Sequence, residues 1–274
     1  MAGARKVGYA SCMPELPEVE TVARQLAPLL CGRRIRAVEV LDPLLGDPPV
    51  AGLVGRRVER VFRLGKQVVL TLTRQRHLAF HLRMTGRLIW APRPREADHL
   101  RARLTLVGGQ LLFCDLRRFG TLRVLDELRP IQPGGADPLC AGFTRELVAG
   151  LLRGSRQEIK TWLLRQDRIV GIGNIYASEI LHLARIAPVR AAGSLRPREV
   201  ARLHDATRRV LRRAVECCGT TFSDFQDARG LTGSYQRYLR VYGREGEPCP
   251  VCGRRVRRLV QQQRSTYCCT RCQR

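Results

Sequence analysis

The sequence predicts an α+β protein of two domains, an N-terminal antiparallel β-sandwich with a flanking helix and a C-terminal helical domain that ends in a zinc-binding β-hairpin. Three observations lead to this prediction. Short β-rich runs separated by Gly, Pro and Asp fill residues 35–125, helical spacing of apolar residues begins after residue 144, and two Cys-x-x-Cys pairs lie near the end. A chain of 274 residues is long enough to form two hydrophobic cores.

The first helix is predicted from residue 16 onward, where apolar residues recur every three or four positions. This spacing leaves Glu20 and Gln25 largely on the outer face. Two prolines and the acidic residues Glu15 and Glu18 stand at the start of the helix, where its dipole favours negative charge. Taken alone, this pattern has a structural explanation, because carboxylates and prolines commonly begin helices.

Eight β-rich runs follow, and their short length indicates antiparallel strands rather than strands that alternate with helices. The predicted strands cover residues 35–40, 57–62, 67–72, 78–82, 87–90, 101–106, 111–114 and 121–125. The predicted helices of the second domain cover residues 144–152, 159–166, 174–183 and 197–218. We expect a first domain at 13–128, a proline- and glycine-rich linker at 129–143, a helical domain at 144–236 and a metal-binding hairpin at 237–274.

The end of the chain carries two cysteine pairs with metal-ligand spacing. Cys249 and Cys252 form the first Cys-x-x-Cys, and Cys269 and Cys272 form the second after sixteen intervening residues. Two such pairs place four thiolates around one tetrahedral Zn²⁺, so we expect one structural zinc ion. Because four cysteines leave no coordination position for water, the metal is expected to fold the hairpin and to take no part in chemistry.

The charge balance favours nucleic acid as the partner. The formal net charge is +25, from 49 basic and 24 acidic residues, and only Lys6, Lys66 and Lys160 are lysines. The planar fork of an arginine side chain suits phosphate. A coding bias explains arginine in place of lysine but does not explain the excess of positive charge. No apolar run approaches the ~18 residues of a membrane span, so we expect no membrane partner and a cytoplasmic protein.

The stretch Met-Pro-Glu-Leu-Pro-Glu-Val-Glu at residues 13–20 resembles the start of the bacterial formamidopyrimidine-DNA glycosylases, whose mature chains open with that proline. The resemblance implies a bifunctional glycosylase and abasic-site lyase that removes oxidised purines, 8-oxoguanine and formamidopyrimidines, in base excision repair. It further implies that the amine of Pro14 attacks the sugar C1′ to form a Schiff base, with Glu15 as acid and base. The full catalytic set that it implies is Pro14, Glu15, Glu18, Lys66 and Arg264.

Residues 1–12 precede this motif and have no counterpart in the family pattern. Inside a chain, the proline nitrogen is an amide whose lone pair is delocalised, so it cannot act as a nucleophile. The mechanism therefore requires that Pro14 become the first residue. We expect either initiation at Met13 or removal of residues 1–12 as a leader.

The same family resemblance continues through the DNA-binding segments. Residues 159–164 and 171–179 resemble its helix-two-turns-helix, and residues 219–225 resemble a loop that closes over an everted base. Residues 81–86 and 115–120 resemble two wedge loops that fill the space left by that base, although Arg83 replaces the usual glycine and Leu116 the usual proline. The implied DNA contacts are Met84, His99, Arg117, Phe119, Arg156, Lys160, Asn174, Thr220 and Thr221.

The expected partner is double-stranded DNA with oxidised bases or abasic sites, bound by a monomer associated with the bacterial nucleoid. Imine chemistry needs no redox or organic cofactor. Two alternatives stay open: a non-catalytic damaged-DNA-binding homologue whose proline is blocked by residues 1–12, and a glycosylase for oxidised pyrimidines that resembles the endonuclease VIII group. That group typically begins Pro-Glu-Gly-Pro, so Leu16 favours purines.

Overall fold

The computed structural model describes residues 13–46, 48–220, 228 and 231–274. Within these ranges the chain forms two compact units. The first, which we call the sandwich unit, comprises described residues within 13–132 and 215–236. The second, which we call the helical unit, comprises residues 133–214 and 237–274.

The sandwich unit contains two four-stranded antiparallel sheets. Its strands are β1 Ile35–Val40, β2 Val58–Leu64, β3 Gln67–Leu72, β4 Arg76–His81, β5 Gly86–Ala91, β6 Leu100–Leu106, β7 Gly109–Asp115 and β8 Thr121–Leu125. One sheet has the order β1-β6-β7-β5 and the other β2-β3-β4-β8. The eight predicted strands are confirmed, and their ends differ by at most two residues because pairing with neighbouring strands extends or shortens them.

The core of this unit lies between the sheets and under helix α1, Leu16–Leu30. Phe80 of β4 and Phe113 of β7 meet edge to face with ring centroids 5.5 Å apart, which joins the two sheets. The apolar face of α1 is buried as predicted. Two polar residues expected on its outer face are instead partly buried, because Glu20 accepts a hydrogen bond from Arg63 and Gln25 accepts one from the backbone N–H of Ala228.

Described residues of the segment 215–236 pack with the sandwich unit, although the sequence places this segment in the domain at 144–236. Residue Ala228 accounts for part of this packing. Its N–H donates to Gln25 Oε1 at 3.1 Å, and its carbonyl accepts from the Trp90 N–H at 3.2 Å. These two bonds connect the segment to α1 and β5.

The helical unit is built from short helices and the terminal hairpin. Its elements are α2 Arg145–Leu152, α3 Ile159–Leu163, α4 Asn174–Ala184, α5 Pro197–Glu216, β9 Arg257–Gln261 and β10 Arg264–Cys268. Helix α3 ends three residues earlier than predicted. The side chain of Gln166 donates to the carbonyls of Leu164 and Ile172 and accepts from the Gly171 N–H, so it fastens a turn instead of continuing the helix.

None of the helices in the described ranges combines the length and the apolar composition needed to cross a lipid bilayer.

Candidate functional site

The start of α1 carries Pro14, Glu15 and Glu18, three of the residues predicted to act in catalysis. All three are buried, and each glutamate is 2% exposed. Glu15 is the N-cap: its carboxylate accepts a hydrogen bond from the Glu18 N–H, and its own N–H donates to Glu18 Oε2 at 2.9 Å. This reciprocal capping box holds two carboxylates at the positive end of the helix dipole, next to the predicted nucleophile.

Glu18 also binds the segment that follows α5. Its Oε1 accepts a hydrogen bond from the Thr220 N–H at 2.7 Å. Gly219 has a φ of +79°, and a Cβ at this position would lie 2.8 Å from Glu18 Cγ, so the close approach requires glycine. Thr220 is thereby brought to the predicted catalytic cluster through its backbone. Thr221, the neighbouring predicted DNA contact, lies outside the described residues.

Lys66 lies in the two-residue turn between β2 and β3, directly after Gly65, which has a φ of +60°. Arg63 fixes this turn, because Nη1 donates to the Gly65 carbonyl at 3.2 Å and Nε donates to Glu20 Oε2 at 2.8 Å. The Arg63 side chain is 4% exposed and that of Glu20 is 16% exposed, so the pair is shielded from water. The turn that carries Lys66 is therefore held against the helix that carries the acidic residues.

Met84 lies in the connection between β4 and β5, next to Arg83, which has a φ of +52°. This left-handed conformation suits glycine, the residue that the family resemblance leads one to expect, and it costs an arginine about 1 to 2 kcal/mol. The Arg83 N–H donates to His81 Nδ1 at 3.1 Å. Burial, assisted by the charges of Arg83 and Lys66, lowers the pKa of His81 to about 4, so the neutral ring can accept this bond at pH 7.

Arg117 and Phe119 lie in the connection between β7 and β8, and both are exposed. The Arg117 guanidinium carbon is 5.0 Å from the centroid of the Phe119 ring, a cation–π contact. Between them, Arg118 donates from Nε and Nη2 to the two carboxylate oxygens of Asp42, at 2.9 and 2.5 Å. These bonds from Arg118 hold the pKa of Asp42 well below its usual range. The middle of the loop is thus fixed while the side chains on either side stay exposed.

Asp115, which ends β7, connects the two predicted wedge loops. Its carboxylate accepts hydrogen bonds from the Thr85 hydroxyl and, at 2.6 Å, from the Gly120 N–H. The same Thr85 hydroxyl accepts the Arg117 N–H at 3.0 Å. The Asp115 N–H donates to the carbonyl of His99 at 2.9 Å, which places that exposed predicted DNA contact beside the loops. Asp115 therefore connects the segments that carry four of the predicted DNA contacts, which are Met84, His99, Arg117 and Phe119.

A second group of predicted contacts meets in the helical unit. The carbonyl of Ser265 accepts hydrogen bonds from Lys160 Nζ at 3.1 Å and from Asn174 Nδ2 at 2.9 Å. Asn174 is the first residue of α4, as predicted, and Gly173 is its N-cap. Lys160 is fully buried, which favours support of the hairpin backbone over direct contact with a phosphate. The junction holds Ser265, and with it the start of β10, against the N-terminus of α4.

Arg264 is the first residue of β10 and is exposed. It follows a two-residue turn in which Gln262 and Gln263 have φ values of +45° and +59°, as in the tight turns that suit the twist of a hairpin. Arg264 therefore stands beside the Ser265 junction with its charge accessible. Arg156, another predicted DNA contact, is exposed in the connection between α2 and α3.

The four cysteines predicted to bind metal lie together. One sulfur atom from each of Cys249, Cys252, Cys269 and Cys272 lies within 4.8 Å of the other three. Four thiolates at this separation match the donor set of a closed structural zinc site. Cys268 is buried beside the cluster but is not part of it. The spacing in the sequence thus identified the sulfur cluster correctly.

Two buried residues of α4 that sequence reasoning missed face the hairpin segment. The carboxylate of Glu179 accepts backbone N–H groups from Arg240, Val241 and Tyr242 at 2.9, 3.0 and 2.9 Å. Burial raises its pKa, and these three donors oppose that shift. One turn later, His182 Nε2 lies 3.4 Å from the Cys249 sulfur. An acidic residue inside the apolar run of α4 was the available signal, because such a residue needs partners when buried.

Three models of protein families together match most of the chain. The one described as the formamidopyrimidine-DNA glycosylase N-terminal domain matches residues 13–122. The formamidopyrimidine-DNA glycosylase H2TH domain matches residues 135–226, and the zinc finger found in FPG and IleRS matches residues 246–274. The last match and the four-cysteine cluster agree, and they support one structural zinc ion in the hairpin.

Individual relatives extend along nearly the whole chain. The formamidopyrimidine-DNA glycosylase of Pelotomaculum thermopropionicum is 44% identical over 273 residues, covering 95% of this chain and 99% of the relative. The crystal structure of MutM (FPG) from Thermus thermophilus gives a TM-score of 0.85 at 41% identity, covering 95% of this chain and 98% of that one. Wild-type Lactococcus lactis Fpg (MutM) with DNA containing N7-benzyl-Fapy-dG gives 0.85 at 34% identity, covering 95% and 99%. The site geometry, the domain matches and these relatives together show that the chain belongs to the formamidopyrimidine-DNA glycosylase family.

Proposed function

We propose that this protein excises oxidised purines from double-stranded DNA and then cuts the strand at the abasic site. Its membership of the family makes it a DNA glycosylase. The observation that carries the proposed mechanism is the capping box at the start of α1, where buried Glu15 and Glu18 flank the position of a potential amine nucleophile. As part of the same proposal, we place the enzyme with the bacterial nucleoid, where its substrate lies.

The chemistry begins at Pro14 once this residue is the first of the chain. A free α-amine has a pKa near ~8, so a useful fraction is unprotonated at neutral pH. Its lone pair forms a bond to the sugar C1′ while the bond from C1′ to the base breaks, and the departing base takes up a proton as the attacking amine loses its own. Glu15 is the proposed acid and base: it protonates the sugar ring oxygen as the ring opens to an iminium ion.

Strand cleavage follows from the iminium ion. This ion withdraws electrons from C2′, so the Glu15 carboxylate, which ring opening leaves deprotonated, takes a C2′ proton and the 3′ phosphate leaves by β-elimination. A second elimination then expels the 5′ phosphate. We assign Glu18 to holding Glu15 and the loop at Thr220, and we assign Lys66 and Arg264 to the phosphates beside the lesion, where cations stabilise the developing negative charge.

DNA recognition is assigned to the exposed loops and to the α4 junction. Met84, Arg117 and Phe119 are proposed to occupy the space left by an everted base, which offsets part of the stacking energy that is lost on eversion. The proposed contacts to the strands outside that space are His99, Arg156, Asn174, Thr220 and Thr221. Buried Lys160 is assigned to supporting the hairpin backbone beside them. The proposed zinc ligands are Cys249, Cys252, Cys269 and Cys272. When bound, the ion supplies folding energy to the hairpin and no acid–base chemistry.

Oxidised purines are the proposed substrates because of the residue at the start of α1. Lactococcus lactis Fpg is described in complexes with DNA that contains N7-benzyl-Fapy-dG and with DNA that contains an oxidised pyrimidine, so its complexes do not separate the two substrate classes. In this chain Leu16 is fully buried at the start of α1, where the oxidised-pyrimidine group typically has glycine. Parallel assays on duplexes with an oxidised pyrimidine test the alternative substrate class.

The experiment measures base release from a duplex containing 8-oxoguanine, with the chain beginning at Pro14. Glu15→Gln is expected to keep lesion binding but to lower base release by about 100-fold or more, because it removes an acid–base group. Glu59→Gln is the matched control, since Glu59 is an exposed acid of β2 outside the site. Equal base release by Glu15→Gln and the unchanged chain would contradict the assignment of Glu15. Lesion binding with no base release from any substrate would favour the binding-only alternative.

A further inference from the structure

A strongly basic cavity of about 780 Å³ lies in the helical unit, away from the residues assigned to DNA above. It is formed by the end of α4, the start of α5 and the two cysteine pairs of the hairpin. Six arginines and one acidic residue line it: Arg185, Arg190, Arg196, Arg202, Arg271, Arg274 and Glu199. Like charges at this density repel one another, so such a cavity favours an anion that neutralises them.

Two of these arginines already have partners within the protein. Glu199 binds Arg190 through both carboxylate oxygens, at 2.5 and 3.1 Å. Arg202 Nε donates to the Ala184 carbonyl at the end of α4, at 3.0 Å. This carbonyl belongs to the negative end of the helix, so the contact is structural.

The other four arginine side chains are exposed. They are Arg185, Arg196, Arg271 and Arg274. Within the described ranges, none of them forms an ion pair with a side-chain carboxylate. The cavity therefore offers at least four guanidinium groups to a ligand from outside the protein.

The cavity is separate from the junction at Ser265. Asn174 begins α4 and Arg185 is its C-cap, and a helix of eleven residues is about 16 Å long. Arg264 begins β10 and Cys268 ends it, a distance of about 14 Å for a strand of this length. Helix α4 and strand β10 therefore each have one end at the proposed phosphate contacts and the other end at the cavity.

We infer that this cavity is a second phosphate-binding site, which takes consecutive phosphates of a nucleic-acid backbone other than the segment under repair. Arginine forks match phosphate oxygens in geometry and charge. An acidic protein partner fits less well, because a protein interface needs an apolar core and Val251 is the sole exposed large apolar side chain among the described residues that line the cavity. Two phosphate-binding faces would let one protein hold a second DNA segment while the first is bound.

The test uses the full zinc-loaded chain, saturated with an unlabelled duplex that carries a non-cleavable abasic-site analogue. A labelled undamaged duplex is then added, and its binding is followed by fluorescence anisotropy at several salt concentrations. The double variant Arg196→Ala/Arg271→Ala removes two exposed charges from the cavity. The matched control Arg209→Ala/Arg212→Ala removes two exposed charges from α5 outside it. Thermal unfolding of both variants checks that the fold is kept.

We expect the unchanged chain and the control to bind the second duplex, with an affinity that falls steeply as salt rises. In the cavity variant, the slope of log affinity against log salt should fall by about two units, since each lost phosphate contact removes nearly one. Binding of the first duplex and base release should not change. Inorganic tripolyphosphate should compete with the second duplex only.

The inference fails if no second duplex binds, or if the cavity variant and the control bind it with the same salt slope. Tripolyphosphate binding that depends on Arg196 and Arg271, without binding of a second duplex, would replace nucleic acid by a free polyphosphate as the ligand. These outcomes do not depend on catalysis. A protein that releases no base but binds the second duplex through the cavity would refute the proposed mechanism and support this site.

Discussion

Among single residues, Glu179 shows how one buried side chain positions a distant segment. It lies in α4 and accepts three backbone N–H groups from residues 240–242, more than sixty positions along the chain. That segment leads into the hairpin that carries Arg264 and the cysteines. Because the backbone donors belong to residues of any type, neither the sequence of the segment nor its spacing reveals the contact.

Glu179→Leu is predicted to destabilise the protein by about 2 to 4 kcal/mol, because up to three N–H groups lose their acceptor. Glu179→Gln keeps one acceptor oxygen and should lose less. Thermal unfolding and protease cleavage at 237–248 measure the effect, with exposed Glu245→Leu as the control. Unfolding of the Leu variant at the same temperature as the unchanged chain would show that Glu179 does not hold the segment.

The residues at the start of α1 illustrate what a sequence can predict. Glu15 and Glu18 were identified by their resemblance to a family motif, and the structure adds that they are buried and mutually bonded. Asp115 and Thr85 were not identified, because their contact joins positions 30 residues apart. A short sequence motif shows which residues are close along the chain, whereas a contact between two loops depends on how the strands pair in the sheet.

At the scale of elements, the two predicted wedge loops form one bonded assembly. The Thr85 hydroxyl donates to Asp115 of the second loop and accepts the N–H of Arg117. Arg83 and Arg118 both adopt left-handed backbone conformations in these loops, which is strained for arginine. The Arg83 N–H is bonded to His81 and the Arg118 side chain to Asp42, while Asp115 connects the two loops.

Thr85→Val is predicted to weaken lesion binding about 5- to 30-fold, the equivalent of one or two lost hydrogen bonds. The loss should be larger for lesion duplex than for undamaged duplex, because the loops are proposed to act on an everted base. Thr71→Val is the control, since Thr71 makes its own side-chain hydrogen bond to His77 away from the loops. Equal weakening by both variants would indicate a general loss of stability.

The elements themselves were largely predictable. Short β-rich runs and the Gly, Pro and Asp residues between them located all eight strands of the sandwich. The end of α3 was not predictable from apolar spacing, because the turn that follows it is held by bonds from the Gln166 side chain to Gly171 and Ile172, five and six residues further on. The grouping of 215–236 with the sandwich unit depends on long-range contacts such as that of Thr220 with Glu18.

For the molecule as a whole, the zinc site connects metal content to DNA binding. The cysteine cluster closes the base of the hairpin, and Arg264 begins the strand that leads to it. Metal binding to such a site supplies about 10 to 16 kcal/mol of folding free energy. Loss of the metal should therefore disorder the hairpin and displace Arg264 and Ser265 from α4.

Purified protein is predicted to contain one zinc ion per chain, and Cys252→Ser or Cys272→Ser should weaken binding to lesion duplex by roughly tenfold or more. Elemental analysis and fluorescence anisotropy measure the two effects. Cys140→Ser is the control, an exposed cysteine of the same unit outside the cluster. Active protein that contains no zinc would refute the structural role of the metal.

The central claim is that the amine of Pro14 forms the covalent intermediate. The most direct measurement is borohydride trapping on 8-oxoguanine duplex, followed by mass spectrometry of the linked peptide. We predict that a chain beginning at Pro14 is trapped through its first residue, and that a chain beginning at Met1 is not, because its Pro14 nitrogen is an amide. Trapping of the Met1 chain, shown by intact mass to be uncleaved, would contradict this account and point to a lysine such as Lys66.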